Sequence, residues 1–289
     1  MKAAQFYGPR DIRVVDVPAP EPKEHEALVA IEWCGICGSD LHEYLVGPAV
    51  IPKVPHPITK EHLPVTMGHE FCGRIVTAPK DSSLSPGQAV MVDPRLYCRN
   101  CSRCDASSTN ACRSWGFKGL SGSGGGYSEA VAVDAKLCYP LPDTVDLSLA
   151  ALIEPLAVAW HAVQISDIED WASKSVLILG GGPVGIAHIY VLRAKGCSQI
   201  FVSEPTARRA EQNSEIADHV FNPATENVGE KVRELTGGEG VHAVFDCAGV
   251  QKAMDAGCNA LRYKGTYMNV AGWETPVRTM HVSALYMPN

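Results

Sequence analysis

The sequence predicts two domains of different fold class, a β-rich, barrel-like domain at the N-terminus followed by an α/β domain. The chain has 289 residues, which is enough for two hydrophobic cores. Up to about residue 143, short strand-like runs are broken by glycine and proline, and beyond Trp171 strand-like runs alternate with helical stretches. We therefore divide the chain into domains at residues 1–150 and 151–289.

The first domain shows few helical patterns, so its strand-like runs predict an all-β, barrel-like fold with loops. These runs occupy residues 12–17, 27–33, 73–77, 88–93 and 127–133. Residues 149–164 then carry apolar side chains at helical spacing, which predicts one helix linking the two domains.

The second domain alternates strands and helices, which predicts βαβ units and a doubly wound parallel sheet. Its strand-like runs occupy residues 175–179, 199–203, 219–222, 242–247 and 265–271. A complete sheet of this class typically has a sixth strand, whereas this sequence becomes irregular after Gly272 and ends at Asn289. It therefore predicts a C-terminally incomplete domain, whose exposed apolar surface would favour aggregation.

The net charge and the hydropathy of the chain limit the kinds of molecule that it is expected to bind. The formal net charge is −7, from 32 acidic and 25 basic residues, which argues against nucleic acid or an anionic membrane as the main partner. No apolar run reaches the roughly 18 residues of a membrane-spanning helix, and the N-terminus lacks the apolar block of a signal peptide. We expect a cytoplasmic protein that acts on a small molecule.

Four of the eleven cysteines stand close together, at spacings of three, three and eight residues: Cys98, Cys101, Cys104 and Cys112. In a reducing compartment, clustered cysteines bind metal more often than they form disulfides. Four thiolates complete a tetrahedral zinc site and leave no open position, so such a zinc is structural. The alternative, disulfides or free thiols, fits this spacing less well.

A second set of potential metal ligands is spread along the chain. Cys37 lies in a run that also holds a hydroxyl, a carboxylate and an imidazole, His69 and Glu70 follow a glycine, and Glu154 comes much later. Each has an ordinary alternative: a small buried thiol, a hydrogen-bonded histidine, or an acid in the first turn of a helix. From residue types alone, a mixed zinc site and these alternatives both stay open.

A glycine-rich turn follows the first strand of the second domain. The apolar run 175–179 leads into Gly180, Gly182 and Gly185 at the spacing of the dinucleotide fingerprint, with Pro183 and Val184 opening an apolar helix. The three glycines would permit the tight turn, the close approach of a pyrophosphate and the packing of helix on strand. The phosphates would meet the N-terminus of the helix.

The next strand ends in Glu204, an acid placed to accept hydrogen bonds from the adenosine ribose hydroxyls. A carboxylate there repels a 2′-phosphate, which favours NAD over NADP. Arg208 and Arg209 follow within one helical turn and temper that preference.

The order of these motifs, Cys-Gly-x-Cys-Gly-Ser-Asp-x-His, Gly-His-Glu, the four-cysteine cluster and the glycine fingerprint, resembles the zinc-containing medium-chain alcohol and polyol dehydrogenases. The resemblance covers nearly the whole chain. It implies a GroES-like catalytic domain followed by a Rossmann domain, with a catalytic and a structural zinc per chain. Cys37 and His69 would then bind the catalytic zinc, and Glu70 and Glu154 fall where polyol-type members carry acidic ligands.

The same resemblance implies roles for further residues. The hydroxyl of Ser39 would contact the substrate oxygen, and a proton would pass through the cofactor ribose to His42, whose imidazole titrates near neutral pH. Asp40 would orient a zinc ligand from behind, and Arg209 would cover the adenine. Family members form dimers or tetramers, which a missing sixth strand would put in doubt.

Within that family, the sequence most resembles the 2,3-butanediol dehydrogenases, through residues 37–45, the proline-rich insert at 47–63 and Ser203-Glu204-Pro205. This implies interconversion of vicinal diols with acetoin or diacetyl. Sorbitol, xylitol and threonine dehydrogenases share the catalytic motifs and stay open as alternatives, as does a truncated, inactive zinc binder. A zinc-free quinone reductase fits poorly with the metal motifs, and a nucleic-acid-binding zinc module fits poorly with the acidic charge.

Overall fold

The computed structural model describes residues 1–273, and the segment 274–289 lies outside the described residues. The chain forms two compact units, which divide between Glu154 and Pro155. The irregular stretch that underlies the prediction of an incomplete sheet falls largely in the segment that is not described.

The first unit is built from ten short strands and three short α-helices, followed by the start of a fourth helix. The strands are β1 (Lys2–Gly8), β2 (Asp11–Asp16), β3 (Glu26–Cys34), β4 (Val65–Thr66), β5 (Phe71–Thr77), β6 (Ala89–Val92), β7 (Arg95–Leu96), β8 (Gly116–Phe117), β9 (Ala130–Asp134) and β10 (Cys138–Pro140). The helices of this stretch are α1 (Gly38–Val46), α2 (Ser102–Asp105) and α3 (Leu147–Ala150). Thus the predicted β-rich character of this region is confirmed.

Two antiparallel sheets carry this unit, ordered β2-β1-β4 and β10-β6-β5-β3-β9, beside a small β7-β8 pair. The alternating burial along β3 and β9 places every second side chain in one core, as expected for a sheet covered on one face. Val29, Phe71, Val90 and Val131 lie at the centre of that core and are at most 2% exposed. This core fixes the ends of β3 and β5, from which the candidate metal ligands extend.

The second unit is a layered α/β structure. Its helices are α4 (Ile153–Gln164, which begins just before the division), α5 (Pro183–Ala194), α6 (Ala207–Ser214), α7 (Val228–Leu235) and α8 (Gln251–Ala260), and its strands are β11 (Ser175–Leu179), β12 (Gln199–Ser203), β13 (His219–Phe221), β14 (Val241–Asp246) and β15 (Leu261–Asn269). All neighbouring strands are parallel, in the order β13-β12-β11-β14-β15. That is the order of the first five strands of a Rossmann sheet, so the predicted doubly wound fold is confirmed.

The prediction of a single linking helix at residues 149–164 is wrong in one respect, because the structure divides this stretch into two helices. α3 ends at Ala150, Ala151 and Leu152 form a turn, and α4 begins at Ile153. Pro155 supplies the physical reason: a proline cannot donate to the carbonyl four residues earlier and clashes with it, but it fits the first turn of a new helix.

Among residues 1–273, no helix combines the length and the apolar composition needed to cross a bilayer.

Candidate zinc and dinucleotide sites

The first candidate site starts where β3 ends and α1 begins. Cys37 is the N-cap residue of α1, and the carboxylate of Asp40 accepts a hydrogen bond from the Cys37 backbone N–H at 3.0 Å. The same carboxylate oxygen, Oδ2 of Asp40, also accepts a hydrogen bond from the Tyr127 hydroxyl at 2.9 Å. Asp40 is 4% exposed, so the start of α1 and the thiol of Cys37 are held by a buried polar network.

Two further ligand-type side chains reach the same place from the start of β5. His69 and Glu70 follow Gly68, which has a φ of +91° that favours glycine, and both are buried. The potential ligand atoms of Cys37, His69 and Glu70 all lie within 4.8 Å of one another. Ser39 Oγ lies 3.4 Å from His69 Nε2. The structure thus gathers four of the predicted residues at one point.

Buried electrostatics show why a cation fits this cluster. Burial disfavours the charged imidazole of His69, but Asp40 and Cys37 outweigh that penalty and raise its pKa to about 10. Burial also raises the pKa of Glu70, against the opposing effect of His69. The carboxylates and the thiol of this buried site raise the pKa of a histidine this far because the site favours positive charge. A divalent metal ion would supply that charge.

Two buried atoms without hydrogen-bond partners support the same conclusion. Asp40 Oδ1 and His69 Nδ1 face each other at 3.5 Å, and neither has a hydrogen-bond partner among residues 1–273. If His69 binds zinc through Nε2, its proton is fixed on Nδ1 and points to Asp40, as in the carboxylate–histidine–zinc arrangements of other metal sites. Cys37, His69 and Glu70 therefore fit zinc with an open coordination position.

Glu154 does not belong to this cluster. It lies in the first turn of α4, and its carboxylate is not among the group of ligand atoms within 4.8 Å of one another. Its surroundings still affect it, since burial first and then Glu70 and Asp93 raise its pKa to about 7, against the attraction of His69. The structure therefore places Glu154 near the site but outside the cluster of three.

The second cluster is the four-cysteine loop. Cys98, Cys101, Cys104 and Cys112 bring their sulfur atoms within 4.8 Å of one another. The sulfur–sulfur distances are 3.7 Å for Cys101–Cys104 and 3.5 Å for Cys98–Cys112. A disulfide needs about 2.05 Å, whereas a tetrahedron of zinc–sulfur bonds of about 2.3 Å places its sulfurs about 3.8 Å apart. The spacing fits zinc and does not fit a pair of disulfides.

Backbone donors favour the thiolate form at two of the four cysteines, Cys101 and Cys112. N–H groups of Arg113 and Cys104 lower the pKa of Cys101, and the N–H groups of Cys98 and Ser114 donate to the sulfur of Cys112 at 3.2 and 3.4 Å. Deprotonated sulfur is the form that binds metal.

The dinucleotide fingerprint forms the connection between β11 and α5. Gly180 has a φ of +91°, and a Cβ on Gly185 would stand 2.0 Å from the Gly180 carbonyl oxygen. Gly182 is the N-cap residue of α5, with Pro183 and Val184 opening the helix. The tight turn and the close helix–strand contact that the glycine spacing predicts are therefore present, and the helix N-terminus offers its free N–H groups to an anion.

Glu204 and Arg209 border this loop. Glu204 is 2% exposed, and its two oxygens accept the backbone N–H groups of Gly181 at 2.9 Å and Thr206 at 2.7 Å. The guanidinium of Arg209, on exposed α6, would lie 3.7 Å from a Cβ on Gly182. Both residues thus lie beside the glycine loop, in the same unit of the chain.

Comparison with known proteins decides the family. The model of the alcohol dehydrogenase GroES-like domain matches residues 23–143, and that of the zinc-binding dehydrogenases matches residues 183–289. The (R,R)-butanediol dehydrogenase of Neisseria gonorrhoeae is 38% identical over 99% of this chain and 81% of its own length. That of Saccharomyces cerevisiae is 37% identical over 94% of this chain and 77% of its own length. The chain belongs to the zinc-containing medium-chain dehydrogenases.

Solved structures agree with this assignment. The 2R,3R-butanediol dehydrogenase of Bacillus subtilis superimposes on this dehydrogenase with a TM-score of 0.90 at 34% identity, covering 99% of this chain and 81% of its own. A zinc-binding dehydrogenase of Sinorhizobium meliloti bound to NADP gives 0.86 at 31% identity, over 96% and 79%. This dehydrogenase is therefore a zinc-dependent enzyme of the alcohol dehydrogenase class that uses a nicotinamide dinucleotide.

Sequence reasoning missed two polar residues of this dehydrogenase, one that the structure places at the candidate catalytic zinc site and one at the glycine loop. Tyr127 bonds to Asp40 behind the metal cluster, and buried Asn213 bonds to the glycine loop. Tyr127 follows a run of glycines, which hinted at close packing, whereas Asn213 is one polar residue in a polar helix and gave no signal.

Proposed function

We propose that this dehydrogenase oxidises a vicinal secondary diol of the 2,3-butanediol type to the hydroxyketone, and reduces acetoin-like ketones, with NAD as the cofactor. The observation that carries the chemistry is the buried cluster of Cys37, His69 and Glu70 beside the hydroxyl of Ser39. The relatives that bear on the substrate are named (R,R)-butanediol dehydrogenase or diacetyl reductase and are 35–38% identical.

In this proposal Cys37, His69 and Glu70 hold the catalytic zinc, and Glu154, which lies nearby, is an alternative acidic ligand to the same metal. Cys98, Cys101, Cys104 and Cys112 hold the structural zinc. A zinc ion held there would supply Lewis-acid chemistry that lowers the pKa of an alcohol hydroxyl, and a bound nicotinamide would supply the acceptor for the hydride. Glu70 and Glu154 are the two acids whose positions match the family's acidic ligands, and only Glu70 lies in the cluster of three.

Ser39 and His42 would move the proton. Ser39 Oγ contacts His69 Nε2 at 3.4 Å, and coordination of that nitrogen to a metal would leave the hydroxyl available to the substrate oxygen. As Ser39 accepts the proton that the alcohol loses, its own hydroxyl proton would move on towards the imidazole of His42, which lies three residues further along α1 on the same helix face and would release a proton to solvent. Asp40 and Tyr127 keep the imidazole of His69 in the orientation this requires.

The cofactor would bind at the glycine loop, through Gly180, Gly182, Pro183, Val184 and Gly185. Among residues 1–273, each oxygen of Glu204 accepts one backbone N–H, so each retains a lone pair for a ribose hydroxyl. Its negative charge supports NAD over NADP, and Arg209 supplies a planar group for the adenine. We further propose residues 1–150 as the catalytic domain and residues 151–289 as the dinucleotide domain.

The test is NADH formation, followed by absorbance, by purified and zinc-replete protein given 2,3-butanediol, sorbitol or ethanol. We expect the specificity constant for the butanediol to exceed the others by about tenfold or more. Ser39→Ala should lower kcat by roughly 10²–10⁴-fold, while Ser214→Ala, an exposed serine on α6, should leave it unchanged.

Three other results would be informative. A higher specificity constant for sorbitol would contradict the diol substrate and keep the polyol class. Equal turnover of NADP and NAD would contradict the role of Glu204. Soluble protein that carries zinc and forms no NADH with any alcohol would contradict the catalytic proposal altogether.

A further inference from the structure

The backbone of Gly181, at the second position of the glycine loop, is held at both its N–H and its carbonyl by buried side chains. Its N–H donates to Glu204 Oε2 at 2.9 Å, and its carbonyl accepts from Asn213 Nδ2 at 2.9 Å. Glu204 is 2% exposed and Asn213 is fully buried. Since Glu204 follows β12 and Asn213 lies near the end of α6, two separate segments fix the peptide groups on either side of Gly181.

Asn213 is an unusual residue for its position. It is the one buried side chain of α6, a helix that is otherwise strongly polar and exposed. Its Nδ2 also donates to the Arg209 carbonyl at 2.7 Å, one turn back in the same helix. Its Oδ1 is buried without a hydrogen-bond partner in the described chain. An unpaired buried acceptor destabilises a protein, so packing alone does not explain an asparagine here, whereas a bond to the loop does.

The same contact explains why residue 181 is glycine. Gly180 has a positive φ, and Gly185 meets the backbone of Gly180, so both glycines are required by the main chain. Gly181 has neither a positive φ nor a backbone clash. A Cβ there would instead stand 2.5 Å from Nδ2 of Asn213, closer than non-bonded atoms approach. Asn213 is therefore what excludes a side chain at residue 181.

We propose that Asn213 is a positioning residue for the cofactor, which clamps the backbone of Gly181 together with Glu204 and holds the glycine loop in its binding shape before the dinucleotide arrives. This inference rests on the proposed cofactor site at that loop. A loop already held in shape loses less conformational freedom on binding, so the clamp favours affinity for the dinucleotide. Because Asn213 and Gly181 depend on each other, mutations of the two residues should have non-additive effects on NAD binding.

The test is a double-mutant cycle with NAD affinity measured by titration calorimetry on the zinc-loaded protein. Asn213→Ala should weaken NAD binding by roughly 3–10-fold, and Gly181→Ala by more than about tenfold because of the clash. In the double variant the clash is gone, so it should bind NAD at least about threefold more tightly than Gly181→Ala alone. Gln212→Ala, at an exposed neighbouring position on α6, should bind as the wild type does.

A second measurement does not depend on the cofactor. Hydrogen exchange of residues 180–185 should be faster in ligand-free Asn213→Ala than in the wild type and unchanged in Gln212→Ala, with thermal unfolding confirming that all variants are folded. Equal exchange in Asn213→Ala, or purely additive effects in the cycle, would overturn the clamp. If the wild type fails to bind NAD while Asn213→Ala still speeds exchange, the proposed cofactor site fails and the clamp stands.

Discussion

Single buried polar residues define much of what this dehydrogenase can do, and each is stable only through specific partners. Asp40 and Tyr127 stand behind His69, Glu204 and Asn213 hold the glycine loop, and Lys118 is buried at 3% exposure. The ammonium of Lys118 donates to the carbonyl of Ser123 at 2.7 Å and to its hydroxyl at 3.3 Å, and no carboxylate pairs with it among the described residues. A buried charge with only neutral partners makes stability depend on pH.

Lys118 gives a prediction with a definite sign. Burial lowers its pKa to about 8, against the opposing charges of Glu26 and Glu61. Below pH 8 the residue is charged in both folded and unfolded chains, and its burial destabilises the fold. As the pH rises from about 8 towards 10.5, the folded chain gives up the proton first, so the destabilisation is relieved.

We expect the free energy of unfolding of the wild type, relative to Lys118→Met, to increase by about 2–3 kcal/mol between pH 7 and pH 10. Urea unfolding of both proteins at the two pH values measures it. Lys53→Met removes an exposed lysine and should show no such change. A constant difference between wild type and Lys118→Met would mean that Lys118 keeps an ordinary pKa in the fold.

Among the secondary-structure elements, α1 carries the greatest share of the candidate catalytic residues, and its far end is fixed by a buried acid. Glu43 is fully buried, and its carboxylate accepts backbone N–H groups of Ala49 at 2.9 Å, Val50 at 2.5 Å and Ile51 at 3.3 Å. These residues open the proline-rich insert that follows the helix. One side chain thus joins the helix of Ser39 and His42 to the insert.

Glu43→Ala should leave three backbone N–H groups of the insert without their acceptor. We expect a loss of about 2–3 kcal/mol in the free energy of unfolding and faster limited proteolysis within residues 47–63. Glu24→Ala, at an exposed position in the same unit, serves as the matched control. Unchanged proteolysis of Glu43→Ala would show that the insert is held by its other contacts, such as the bond from Thr59 to the Ser121 carbonyl.

At the scale of the whole molecule, each compact unit has its own hydrophobic core, and the two clusters of potential zinc ligands both lie in the first unit. The cysteine loop contains the short helix α2 and is flanked by the β7–β8 pair, and within residues 98–112 Cys112 alone is buried. Such a loop has little apolar burial to stabilise it, so metal binding is expected to supply part of its folding free energy.

Metal analysis of the purified chain should therefore find about two zinc ions per molecule. Cys101→Ser should reduce this to about one and lower the thermal unfolding midpoint, because the loop loses its metal. Cys37→Ser should also leave about one zinc, with loss of NADH formation. Cys258→Ser, which alters a cysteine of α8 outside both clusters, should keep both ions. One ion in the unaltered protein would contradict the pair of sites.

Most of the architecture follows from local sequence. Short strands between glycines and prolines, and later the alternation of strands with helices, determine the two fold classes, because side-chain periodicity depends only on the local backbone. The four-cysteine cluster and the glycine fingerprint could be predicted for a similar reason, because the functional groups of each motif lie close together in the sequence. The break before α4 was missed although Pro155 stands in the sequence, because the apolar pattern continues through it.

The remainder was decided only by the tertiary structure. Cys37 and His69 are 32 residues apart in the sequence, and only the pairing of β3 with β5 brings their surroundings together. Tertiary contacts also decide that Glu70, and not Glu154, lies in the cluster with Cys37 and His69, a choice that the sequence could not make. The same dependence on the fold hides Asn213 and Lys118, since a polar residue becomes informative only when the fold buries it and its partners are known. Local sequence thus determined the elements and the chemical groups, while contacts between distant segments decided which groups meet.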